Sequence, residues 1–80
     1  MELWVRGQNK ETLMKIRELV IEQGTEYFSI LNYSENDKWS RLGRYKTKER
    51  ALEVFDEIQD LLDDMADNKI VGCVYQMPED

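Results

Sequence analysis

The chain is 80 residues long, with 11 Lys or Arg against 17 Asp or Glu for a net charge of −6, one cysteine and no histidine. That length gives one small core, near the lower limit for folding without metals or disulfides, so help from self-association is expected. A lone cysteine excludes an intrachain disulfide, and the lack of histidine excludes Ser-His, Cys-His and His-ligated zinc chemistry. No apolar run approaches the roughly 20 residues of a membrane span, so a cytoplasmic, non-enzymatic protein is expected.

Leu3, Trp4 and Val5 form an apolar run that ends at the turn formers Gly7 and Asn9, which predicts a strand entering a hairpin. Residues 12–22, TLMKIRELVIE, fit two patterns. Leu13, Ile16 and Val20 follow a helical stripe, while Met14, Ile16 and the β-rich Leu19, Val20 and Ile21 suit a strand with a bend. Residues 26–33, EYFSILNY, are aromatic and β-branched and predict a strand; SENDK is then a polar turn. WSRLGRY predicts another strand, in which Gly43 allows a bulge that would bring Leu42 and Tyr45 to one face despite their odd spacing.

A long helix over about 47–67 is the clearest element. Thr47 can cap it, and Ala51, Val54, Phe55, Ile58, Leu61, Leu62 and Met65 recur at helical spacing. Glu53, Asp56, Glu57, Asp60, Asp63, Asp64 and Asp67 fall on the opposite side, with no cation from 51 to 67. Lys46, Lys48 and Arg50 at the amino end and aspartates at the carboxyl end oppose the helix dipole. After Asn68, IVGCVYQM predicts a final strand before Pro78 opens a short acidic tail, 78–80. The expected architecture is α+β: one domain over 1–77, a small antiparallel sheet of about four to five strands, and the helix across one face. Phe28 and Ile30 point to one side of their strand, and Tyr27, Leu31 and Tyr33 to the other. The uncovered face is thus partly apolar, and a homodimer through Trp4, Tyr27, Leu31 and Tyr33 is expected.

The opening MELWVRGQNKETL and the stretch LGRYKTKERALEVFDEIQ resemble a family of small uncharacterised proteins of Gram-positive bacteria and their bacteriophages. The resemblance covers roughly residues 1 to 60. Members show serine and aspartate where this chain has Gly7 and Asn9, and an acid in place of Arg44. It implies a mainly β amino-terminal half, which tips 12–22 toward strand, and a phage or prophage origin. It implies no activity, cofactor or catalytic residue, and the departure at Arg44 speaks against a family-wide basic device.

Four features bear on chemistry. Asp63, Asp64 and Asp67 match DDxxD, a magnesium-diphosphate pattern, but one helix in 80 residues cannot build the helical cavity that chemistry needs, so no metal site is assigned. Gly24, Gly43 and Gly72 stand alone and form no phosphate loop, so no cofactor is expected. Lys38, Arg41, Arg44, Lys46, Lys48 and Arg50, interleaved with Trp39 and Tyr45, form a candidate basic patch of the kind that binds nucleic acid. The acidic total disfavours that partner. Residues 1–50 hold ten cations against eight acids, whereas 51–80 hold one against nine. The acidic helix face could mimic phosphates and engage a basic host protein, or only solvate the domain. The reading taken is an interaction module that self-associates through its sheet. A phage-type accessory or inhibitor protein with an acidic contact face is the alternative.

Overall fold

The computed structural model describes residues 2–34 and 38–79. The centre of the expected SENDK turn and the last residue of the acidic tail lie outside the described residues. Six strands and one helix follow in the order β1 (Glu2–Arg6), β2 (Leu13–Lys15), β3 (Glu18–Gln23), β4 (Phe28–Tyr33), β5 (Trp39–Tyr45), α1 (Lys48–Asp67) and β6 (Gly72–Gln76). The α+β plan, the single long helix and the carboxyl-terminal strand are those read from the sequence. The strands, however, form two three-stranded sheets, ordered β2-β1-β6 and β3-β4-β5, rather than one.

The division falls inside residues 12–22, which are strand, bent at Ile16 and Arg17. Leu13 to Lys15 pair antiparallel with β1, and Glu18 to Gln23 pair antiparallel with β4. The bend is held from across the fold by Asn32. Its Oδ1 accepts from the amides of Arg17 at 3.0 Å and Glu18 at 3.3 Å, and its Nδ2 donates to the Lys15 carbonyl at 3.0 Å. Asn32 is buried, and these bonds satisfy a polar side chain that would otherwise oppose the core.

The first hairpin turns at Gly7 to Thr12. The Gly7 amide donates to the Thr12 carbonyl at 2.7 Å, and Asn9 Oδ1 accepts from the Glu11 and Thr12 amides. The expected bulge is present in β5: Ile30 faces Gly43 while Leu31 faces Arg41, so Leu42 is the extra residue. Leu42 and Tyr45 consequently both enter the core.

Thr47 caps α1, its Oγ1 accepting from the Arg50 amide at 3.1 Å. Ala51, Val54, Ile58 and Met65 of the helix are buried against Leu3, Val5, Ile30, Leu42, Tyr45 and Met77, with Phe28, Leu61, Leu62 and Tyr75 packed around them. At about 1.5 to 3 kcal/mol for each fully buried side chain, this stripe outweighs the unfavourable placement of charge along the dipole. The tail is tied down: Tyr45 Oη donates to the Pro78 carbonyl at 2.8 Å, and Gln8 Nε2 donates to the carbonyls of Pro78 and Glu79. Among the described residues, no helix is long and apolar enough to cross a membrane.

Candidate interaction surfaces

The β2-β1-β6 sheet is covered on one side only. Leu3 and Val5 of β1, with Cys73 and Tyr75 of β6, face the core, so alternation turns Trp4, Arg6, Leu13, Lys15, Val74 and Gln76 outward. The register sets Trp4 beside Val74 on one flank and Lys15 on the other, and Arg6 beside Leu13. Among the described residues no helix lies over this side, and its apolar members remain open to solvent: Trp4 is 36% exposed, Leu13 56% and Val74 62%. Val71, just before β6 and in phase with Cys73 and Tyr75, is 80% exposed. Trp4 is oriented by its own neighbours. Its indole Nε1 donates to one oxygen of Glu2, and Lys15 Nζ lies 3.0 Å from the other. The Lys15 hydrogen bond first, then that of Trp4, holds the Glu2 carboxyl below its usual range.

The residues expected to form one dimer face do not share one. Trp4 belongs to this sheet, whereas Tyr27 precedes β4, and Leu31 and Tyr33 lie within β4 of the other sheet. Leu31 is only 1% exposed. It sits in the middle strand between Val20 of β3 and Arg41 of β5. Tyr27 and Tyr33 are half-buried. Leu13, Val71 and Val74 were missed as surface residues. Val74 alternates with Cys73 and Tyr75, but the inward side of that strand is legible only once its parallel register with β1 is known.

The outer side of the β3-β4-β5 sheet is charged in columns. Across it run Glu18-Tyr33-Trp39, Val20-Leu31-Arg41 and Glu22-Ser29-Arg44. The bulge at Leu42 puts Arg41 and Arg44 on the same side, since their partners Leu31 and Ser29 are two residues apart. The Arg44 guanidinium stacks 4.5 Å over the Tyr27 ring. Lys38 lies just before β5, Lys46 just before the helix, and Lys48 and Arg50 in its first turn. The basic column of β5 is therefore matched on this sheet by Glu18 and Glu22 of β3, which lowers the field that a phosphate backbone would meet.

Glu53, Asp56, Glu57, Asp60, Asp63, Asp64 and Asp67 are all exposed on α1. Glu57 accepts a hydrogen bond from Tyr75 Oη of β6. Burial first, then that bond, raises the Tyr75 phenol well above its usual range. This contact fixes which flank of the helix lies toward β6. At about 100° per residue, Glu53, Asp60 and Asp64 lie within roughly 60° of Glu57, so the acidic strip leans to the β6 side. The opposite flank is apolar, with Phe55, Ile58 and Leu62 beside Ile16 and Leu19. Among the described residues, no group of three or more acidic or thiol side chains converges as metal ligands would.

Comparison with protein-family models, with curated proteins and with solved structures finds no match to this chain.

Proposed function

We propose that this chain is a non-enzymatic protein-interaction module that works in the cytoplasm and self-associates through the outer side of its β2-β1-β6 sheet. The observation that carries the reading is the uncovered apolar set of Trp4, Leu13 and Val74 on a domain whose helix covers the other side. A large aromatic flanked by exposed aliphatics and rimmed by Glu2, Lys15 and Arg6 has the make-up of a contact patch. Two such patches would remove six partly exposed side chains from water, at about 1 kcal/mol or somewhat more each. Association costs about 4 to 15 kcal/mol, so the dimer is weak and dependent on concentration. Packing through this side keeps the acidic helices of the two copies apart.

Sedimentation velocity over a wide concentration range tests the reading. A mass that rises toward twice that of the chain is expected, and Trp4→Glu or Val74→Glu should return it to the monomer with the circular dichroism unchanged. A wild-type chain that stays monomeric at millimolar concentration would refute it.

A further inference from the structure

β6 is the end strand of its sheet, and among the described residues no strand pairs with its outer edge. The pairing with β1 shows which backbone groups are left over. The Glu2 amide donates to the Val71 carbonyl and the Met77 amide to the Arg6 carbonyl, so the odd-numbered residues from 71 to 77 turn toward β1. The N–H and C=O groups of Gly72, Val74 and Gln76 therefore point away from the sheet.

Natural sheets guard such edges with charge, proline, bulges or extreme shortness. Here β2 has three residues and includes Lys15, β3 carries Glu18 and Glu22, and β5 is bulged and touched by Gln8, whose amide donates to the Leu42 carbonyl. The sequence of β6, GCVYQ, has none of these devices.

The surroundings of the edge differ on its two sides. On the core side, Glu57 bonds to Tyr75, and Glu53, Asp60 and Asp64 share that flank of the helix. On the outer side stand Val74 and, one strand further, Trp4. A strand added here would point alternate side chains at these two environments, because successive residues face opposite sides.

We propose that the free edge of β6 takes up an extended basic segment of a partner protein as an added strand, with Lys or Arg at alternate positions toward the acidic helix flank and aliphatic residues between them. Charge decides between this occupant and a second copy. Two-fold antiparallel pairing of β6 with itself would set both helices on one side of the joined sheet, bringing two acidic flanks together. A basic segment meets the same flank with attraction. The proposal uses the edge of the sheet rather than its face and does not rest on self-association.

Calorimetric titration with a capped peptide of alternating Lys and Val, about eight residues long, tests it. Saturable binding is expected, with slowed hydrogen exchange at the Val74 and Gln76 amides. Methylating the edge-facing backbone nitrogens of the peptide should weaken binding about tenfold or more, as should segregating its lysines and valines into blocks. A chain carrying Glu53→Gln, Asp60→Asn and Asp64→Asn, which leaves the Glu57–Tyr75 bond in place, should lose affinity to a similar degree. Equal binding by the methylated peptide, or by one alternating Glu and Val, would overturn the proposal. So would the absence of saturation, or protection of the Val74 and Gln76 amides in the protein alone that grows with its concentration, since that is the mark of a second copy on the edge.

Discussion

Asn32 lies in the middle strand of the β3-β4-β5 sheet and spends its amide on residues 14 to 17 positions earlier: the Arg17 and Glu18 amides on one atom and the Lys15 carbonyl on the other. Asn32→Ala would leave these backbone groups at the bend without their partner, at about 1 to 3 kcal/mol for each group left unsatisfied. The expected loss is roughly 2 to 4 kcal/mol in urea unfolding; a cost under about 1 kcal/mol would show that the bend does not depend on this side chain. Tyr45 acts at the other side of the core. Burial is the main reason its phenol is pushed up from 10.0 to about 12, with Glu57 adding to the rise and Arg50 opposing it. Folding therefore favours the protonated phenol. Its contribution to stability is complete below pH 10 and is lost as the pH climbs from 10 to about 12. Tyr75 is shifted in the same direction. Tyr45→Phe should cost about 0.5 to 1.5 kcal/mol at neutral pH through the lost bond to the Pro78 carbonyl, and should flatten the alkaline fall in stability. An unchanged pH profile in that variant would mean that other groups govern alkaline unfolding.

At the scale of elements, the helix shows what a sequence states and what it leaves open. Its span, its Thr47 cap and its core stripe were legible, because a 3.6-residue period and a capping hydroxyl are local signals. The β5 bulge was legible for the same reason: Gly43 and the odd spacing of Leu42 and Tyr45 leave few other solutions. The split into two sheets was not. Nothing at Ile16 and Arg17 breaks a strand, and the group that holds the bend lies in β4. Periodicity also reports alternation without saying which sheet a strand joins. Trp4 was thus grouped with Tyr27, Leu31 and Tyr33, although Leu31 fills the closed middle of the other sheet. The reversed charges of α1 are a local matter with a local test. Its last turn has no basic residue, and Asp67 is exposed at its end. Asp67→Lys should raise stability by about 0.3 to 1 kcal/mol in low salt, an effect that salt removes. A loss instead would mean that this carboxylate makes a stabilising contact.

Over the whole molecule, charge is distributed by half: residues 51–80 hold nine acids and Lys69, while every other cation precedes Ala51. The exposed pairs Lys15–Glu2 and Lys10–Glu79 link parts of the chain but, lying at the surface, contribute little. Along α1, Glu53 and Glu57, Asp56 and Asp60, Asp60 and Asp64, and Asp63 and Asp67 are like-charged neighbours four residues apart. At a few tenths of a kcal/mol per pair, they destabilise the free chain by about 1 to 2 kcal/mol. That repulsion is screened within a Debye length of about 10 Å at 0.1 M salt. Sodium chloride should therefore raise the midpoint of thermal unfolding, most steeply at low ionic strength, and the Glu53→Gln, Asp60→Asn, Asp64→Asn chain should start more stable and respond less. The same screening should weaken capture of the alternating Lys–Val peptide. The two salt effects thus have opposite signs, stabilising the fold while loosening the contact. A domain whose midpoint falls as salt is added would show that the acidic strip is already compensated within the fold, and the electrostatic case for a basic partner would fall with it.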